Sequence, residues 1–240
     1  MTGATGNIYC GLHEYEDMAF VLHLLRSGDL FVDVGANIGS YTILASAAGA
    51  KILAFEPVLS TFESLLDNIY LNRLQELVEA RNAAVGSTVD ILAMSADQGP
   101  TNKVVKRGET YAGETIQVQQ VSLDKVLKGN IPKIIKIDVE GYESEVLTGA
   151  TKTLEDSRLQ AVIMELNGSG HSYGYNESEL HQYMIDIGFS NCTYEPASRS
   201  ICKVDVEHSG VGNTLYIRDI MTTQLELSNA PSYHVFGRAI

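Results

Sequence analysis

Three carboxylates fall within six positions of "KIDVEGYE": Asp138, Glu140 and Glu143. The segment follows an apolar run, so it reads as the end of a buried strand turning into a helix. If extended backbone persists through Val139, Asp138 and Glu140 point to the same side. Glu165 closes a second apolar run in "AVIMELNGSGH". An acid there is costly to bury unpaired, so it should face a cleft or a partner. Asn167 and His171 follow it, and imidazole is the side chain most often used as a general base. Lys136, inside the strand pattern, should reach an acid such as Glu165 or the oxygen of an acceptor, a salt bridge being the plainer role. Such groups suit removal of a proton from a weak oxygen nucleophile. The catalytic candidates are therefore Glu140, Glu165, His171 and Lys136. For Glu143, and in part for Glu140, the competing role is stabilisation of a helix dipole.

A second pattern is "FVDVGANIGSYT", residues 31–42. A buried strand runs into a turn with Gly35 and Gly39 and then into a helix. Ligands of open parallel sheets sit beyond the carboxyl ends of the strands. A dinucleotide loop wants a glycine where Asn37 stands and another at Ser40, so a pyrophosphate fits poorly. The next strand ends in "AFEP", which puts Glu56 where it can accept from a ribose diol. A ribose plus a carboxylate at a helix N-terminus, without phosphate, describes S-adenosylmethionine.

The elements that must position these residues alternate between strand and helix, which argues for a mostly parallel sheet with helices on both faces. Residues 14–26 carry Met18, Val21, Leu22 and Leu25 at helical spacing. Strands are expected in "DLFVDV", "KILAFE", "LVEARNAAV", "KIIKIDV", "LQAVIMEL", "FSNCTYE" and "NTLYIRD". A helix with Leu59, Phe62, Leu66 and Ile69 on its packed face follows the second strand. Ser122 is expected to cap a short helix, residues 142–154 to form another, and Asn176 with Glu179 to form a capping box. Residues 86–121 interrupt the rhythm as an inserted hairpin or flap. The loop 196–212 is long enough to be functional. Residues 221–240 carry no clear signal.

With 240 residues and 45% hydrophobic content, one domain over 1–240 is expected, comprising an N-terminal helical segment (1–27), the insertion and a C-terminal tail. The net charge of −13 opposes a nucleic-acid substrate, and the basic cluster "KVVKRG" at 103–108 is small. No membrane-spanning run and no signal peptide are read, so a cytoplasmic protein with reduced Cys10, Cys192 and Cys202 is expected, although Cys192 and Cys202 could in principle pair. His13, His23, His181, His208 and His234 show no metal-ligand spacing, so no metal is expected. The oxygens of Asp138, Glu140 and Glu165 are nonetheless of the type that suits magnesium. Tyr173 and Tyr175 could stack on a sugar face or simply pack.

"FVDVGANIGSYTILAS", "AFEPVLSTFESLLDNIYLNRL", "VSLDKVL", "IIKIDVEGYESEVLTGA" and "VIMEL" together resemble the FkbM family of S-adenosylmethionine-dependent methyltransferases. The similarity spans roughly residues 14–220. It implies a class I methyltransferase (Rossmann-like) fold: a seven-stranded, mostly parallel sheet with the last strand antiparallel. It implies S-adenosylmethionine as cofactor and a hydroxyl of a small molecule, a sugar or natural product, as methyl acceptor. By the same resemblance Asp33, Gly35, Ala36, Asn37 and Gly39 lie near the methionine part. Glu56 with Pro57 meets the ribose, Asn82 and Ala83 the adenine, and Asp138 the methionine end. Thr42 or Tyr41 could reach the cofactor from the first helical turn. Methylation of RNA, a dinucleotide-dependent oxidoreductase and a non-catalytic cofactor-binding module remain as alternatives, and oligomeric state is not readable.

Overall fold

A computed structural model describes residues 11–95, 102–105, 111–204 and 212–240. Cys10, His208, Gly99, Pro100, much of "KVVKRG" and much of the 196–212 loop lie outside these.

The main sheet is built on β1 (Leu30–Val34), β2 (Lys51–Phe55), β3 (Val78–Arg81), β8 (Ile134–Ile137), β9 (Ala161–Glu165), β10 (Ser190–Glu195), β11 (Ser200–Lys203) and β12 (Asn213–Ile217). Their order is β11-β10-β12-β9-β8-β1-β2-β3. The pairs from β9 through β8, β1 and β2 to β3 are parallel, whereas β12 is antiparallel to both β9 and β10. The sheet is therefore mixed and has eight strands, one more than expected. The extra strand, β11, is short and partly exposed, so no apolar run announced it. Central strands are covered on both faces and read as continuous apolar runs: Phe31, Val32, Ile134 and Ile135 are all fully buried. Strand order reverses between β1 and β8, and this places the ends of those two strands side by side.

Four α-helices precede or follow the first strands: α1 (Tyr15–Leu24), α2 (Ser40–Ala47), α3 (Leu59–Leu71) and α4 (Leu123–Leu127). α1 buries Met18, Phe20 and Leu24 against the side of the sheet that also carries α2. In α3 the packed residues are Phe62, Leu65 and Ile69, while Leu59 and Leu66 are exposed, at 56% and 42%. Phe62 and Ile69 lie on the expected face, and Leu65 takes the place expected of Leu66. Leu65 and Leu66 are chemically alike, and periodicity alone does not choose between them. Ser122 precedes α4 but its hydroxyl donates to Gly149 O at 3.0 Å rather than capping the helix.

The expected helix over 142–154 is two, α5 (Glu143–Thr148) and α6 (Thr151–Glu155). The chain breaks at Gly149, where a Cβ would lie 2.0 Å from Gly86 O. That close approach anchors the base of the insertion. α7 (Glu177–Asp186) is capped by Asn176, whose side chain accepts from Ser178 N at 3.0 Å. The tail, unread in the sequence, holds α8 (Ile220–Ser228), capped by Asp219. It ends in a ribbon of β13 (His234–Val235) and β14 (Arg238–Ala239).

The insertion is not a simple hairpin. β4 (Ala84–Val85), β5 (Asp90–Ser95), β6 (Val104–Val105) and β7 (Thr115–Val121) form a second sheet in the order β4-β7-β5-β6. The expected third strand is therefore split: Val78–Arg81 stays in the main sheet, and Ala84–Val85 leaves it to pair parallel with β7. Cys192 pairs in register with Lys203, and Thr193 with Cys202. The two cysteines face opposite sides of the ribbon, and both are free. Among the described residues no helix is long and apolar enough to cross a membrane.

Candidate active site

The end of β1 is held against the end of β8 by one residue. Gly35 has φ +81°, and a Cβ there would lie 1.8 Å from Asp138 O. No side chain fits, so Gly35 is what lets the two strands meet at the reversal of strand order. Its N–H and that of Ala36 both donate to Phe55 O, which ties the loop to β2. Asn37 also has positive φ, +52°. Asparagine tolerates that conformation, and its Oδ1 accepts from Ile38 N at 2.8 Å. Gly39 caps α2 in the left-handed region and abuts Leu65.

Two adjoining cavities open here and share Gly35, Asn37 and Asp138. The larger, about 170 Å³, is walled by apolar residues in and beside the second sheet, among them Ala83, Val85, Met94 and Val104. Glu56, Asp138, Glu140 and Glu165 supply its polar side, and Pro57 also lines it. The smaller, about 140 Å³, is lined by Asp33, Ala36, Tyr41, Lys136 and, from the start of the described chain, His13 and Glu14.

Glu56 is 6% exposed and accepts from Asn37 N at 3.0 Å and Val58 N at 2.9 Å, one bond to each oxygen. Burial pushes its carboxyl up to about 7 against those bonds. Each oxygen keeps a lone pair for a hydroxyl donor. Asp33 accepts from Thr42 Oγ1 at 2.7 Å, and burial raises it to about 6 although Lys136 is near. The hydroxyl of Thr42 is thereby turned to Asp33 rather than to a cavity. Asn82 likewise does not line either cavity; its amide donates to the carbonyls of Glu56 and Pro57.

Lys136 is buried at 3% exposure and its Nζ donates to Asp138 Oδ2 at 2.6 Å. Its partner is Asp138, two residues along the same face of the strand, and not Glu165. Burial alone would raise Asp138, but the ammonium outweighs it and holds the carboxyl below its usual range. Glu165 is pushed the other way, up to about 8, by burial and then by the charge and hydrogen bond of Asp138. Burial and the Asp138 charge also raise Glu140. Oxygens of Asp138, Glu140 and Glu165 all lie within 4.8 Å of one another. This is the group that could take a hard divalent cation.

Glu140 reaches this cluster by a different route from the expected one. β8 ends at Ile137, and Glu140 stands at φ +54° in a tight turn. Left-handed backbone at a glutamate is uncommon and clusters at functional sites. Gly141 completes the turn; a Cβ there would meet the backbone of Ser169 at 2.7 Å. Glu143 is only 2% exposed, points back, and accepts from Gly141 N at 3.0 Å, its carboxyl raised to about 7 by burial. It serves the turn. His171 lies exposed on a 3₁₀ turn, Ser169–Tyr173, and lines neither cavity. Asn167 is spent on Ser169 N. Tyr173 stacks on Tyr175 and donates to Val104 O at 2.9 Å, which fastens the turn to β6. Tyr142, overlooked in the sequence, lines the larger cavity. Its position next to "DVEG" was the available signal. Glu14 and His13 carried none, because nothing local says that the chain folds back on α2.

The lining suits an adenosyl sulfonium. It offers an apolar wall for a flat base, the buried acid Glu56 for hydroxyl donors, and carboxylates for a positive sulfur. Among the described residues no arginine lines either cavity and the one lysine is already paired, a poor set for a pyrophosphate.

A family model described as the methyltransferase FkbM domain matches residues 33–196. The chain is 31% identical over 163 residues to the hexuronic acid methyltransferase AglP of Haloferax volcanii, covering 64% of this chain and 62% of that protein. It is 29% identical over 169 residues to the methyltransferase sdnD of Sordaria araneosa, covering 56% and 65%. Among solved structures, the methyltransferase FkbM from Methylobacillus flagellatus KT superposes with a TM-score of 0.54 at 15% identity, over 85% of this chain and 50% of that one. The chain thus spans less than two thirds of the length of each of these relatives.

Proposed function

Because the chain belongs to the FkbM methyltransferase family, we propose that it uses S-adenosylmethionine to methylate a hydroxyl oxygen of a small polyhydroxylated molecule, a sugar or natural product. The observation that carries this is one cavity whose polar side brings the buried acid Glu56 together with the Asp138–Glu140–Glu165 cluster. When bound, S-adenosylmethionine supplies a methyl group on a positively charged sulfur with a neutral thioether as leaving group.

The residues around it have separable tasks. Glu56 accepts from the ribose hydroxyls while Asn37 N and Val58 N hold it in place. Asp138, kept ionised by Lys136, faces positive charge. Glu165 and Glu140 stand where an acceptor hydroxyl would enter. Glu165 is the better proton acceptor of the two, because a carboxyl near 8 matches the neutral range in which a base must work. The fold's part is to hold the oxygen in line with the methyl carbon, an effect worth several orders of magnitude. The relative from Haloferax volcanii, named for a hexuronic acid, supports a sugar as acceptor.

Incubation with S-adenosylmethionine tritiated in the methyl group, together with neutral sugars, uronic acids and polyketide alcohols, should place label on an oxygen of one of them. The same acceptor lacking that hydroxyl should stay unlabelled. Label appearing in RNA, or on nitrogen alone, would overturn the proposal.

A further inference from the structure

We infer that Tyr142 is the residue that seats the acceptor, its ring serving as the platform on which the carbon–hydrogen face of a sugar ring lies. This rests on the acceptor reading above and deepens it. Tyr142 lines the larger cavity together with Glu140 and Glu165. The turn presents it there: Gly141, at φ +98°, is closed against the backbone of Ser169, and Tyr142 follows at the start of α5. The side chain is fixed from two directions. Its hydroxyl donates to Gln120 Oε1 at 3.1 Å, and Gln120 is itself 2% exposed, with Nε2 donating to Thr88 O at 2.8 Å. Its ring meets that of Tyr173 edge to face, with centroids 5.6 Å apart and planes at 66°. Tyr173 is in turn tied to Val104 O.

A ring held in this way offers its π surface at little cost in side-chain freedom. That surface is negative, and it attracts the weakly positive C–H groups of a saturated ring. The carboxyl groups of Glu140 and Glu165, in the same lining, suit hydroxyls on the rim of that ring. One aromatic face beside two acids fits a molecule that is apolar on its face and hydroxylated at its edge. A cyclic sugar has that form and an open chain does not. The Tyr142 hydroxyl has no part in the chemistry. It is given to Gln120, and burial, then the charges of Glu145 and Asp90, push the phenol up to about 12. The competing role is a brace: Tyr142 ties the turn to β7 through Gln120 and touches no acceptor. The two roles differ in whether loss of the ring or loss of the hydroxyl does the damage.

The probes are methyl hexopyranosides and the matching open-chain alditols, which carry similar hydroxyls without the ring face. Transfer of the tritiated methyl group gives kcat and KM for each with wild type, Tyr142→Phe and Tyr142→Leu, and calorimetry gives the affinity for S-adenosylhomocysteine. Wild type should prefer the pyranosides by about tenfold or more in kcat/KM, the scale of one aromatic contact with its buried area. Tyr142→Phe, which keeps the ring and drops the bond to Gln120, should hold that preference to within about threefold. Tyr142→Leu should lose it, chiefly through a higher acceptor KM. Its affinity for S-adenosylhomocysteine should stay within about threefold of wild type, which also reports that it is folded. Should Tyr142→Leu fail to fold, Tyr142→Met is read in the same way. A preference that survives in the folded variant, or one that Tyr142→Phe loses as completely, overturns the assignment. So does an equal loss of S-adenosylhomocysteine binding, since the ring would then be holding the cofactor. A wild type that binds S-adenosylhomocysteine but labels no sugar would overturn the acceptor reading, and this assignment with it.

Discussion

Gly35→Ala is expected to abolish binding of S-adenosylhomocysteine and to destabilise the protein by at least about 2 kcal/mol, since a left-handed alanine and an overpacked contact each contribute about 1–3. The reason is steric and specific. The new Cβ would fall 1.8 Å from a backbone oxygen, Asp138 O, which has no rotamer to give. Either the Asn37 turn or the end of β8 must move, and each carries a wall of both cavities. Gly28→Ala is the matched control. Gly28 also has positive φ, +91°, but nothing lies within 4 Å of its would-be Cβ. It should therefore show only the backbone penalty, about 1–2 kcal/mol, and bind the ligand as wild type does. Urea midpoints and calorimetric titrations on the two variants separate the effects. An unimpaired Gly35→Ala would mean that the β1–β8 junction is not part of the site.

Glu165→Gln is expected to lower turnover by about 10²–10⁴-fold, the usual loss on removing a general base. Affinity for S-adenosylhomocysteine should change by less than about threefold, under 1 kcal/mol. Glutamine keeps the size of the side chain and can still donate to Asp138. What it loses is the ability to take a proton. Wild-type turnover should rise with pH and level off above about 8, where the Glu165 carboxyl ionises; the variant should show no such limb. Stability gives an independent check of sign. The native state keeps a proton up to about 8 that the unfolded chain releases above 4.5. The stabilisation from Glu165 is therefore complete below 4.5 and is lost as pH rises through about 8. The thermal midpoint of wild type should fall relative to Glu165→Gln over that interval. Glu140→Gln should reduce turnover less, because its carboxyl has no hydrogen bond to Asp138 among the contacts that raise it. Full activity in Glu165→Gln would transfer the role of base elsewhere.

The parallel core of this fold was legible because β1, β2, β8 and β9 are short apolar runs followed by turn residues. Their carboxyl ends then located Glu56, Asp138 and Glu165 without further information. Other features were not legible for identifiable reasons. β4 and β6 have two residues each, too few for any period to register. Asn82 sits at the point where the chain leaves one sheet for the other, and its amide is consumed by that exit. The convergence of Glu140 on Asp138 was anticipated, but from an alternation that the strand does not sustain; a left-handed turn achieves it instead. His171 drew attention for its chemistry, which says nothing about which way a loop turns. Glu14 and His13 come from far along the chain, and only tertiary packing of α1 on α2 brings them in.

The most direct test is a crystal structure of the protein with S-adenosylhomocysteine. The base should lie against Ala83, Met94 and Val104, the ribose hydroxyls on Glu56, and the sulfur should face Asp138 and Glu165. A ligand bound outside these two joined cavities, or one whose sulfur points away from the three carboxylates, would contradict the account.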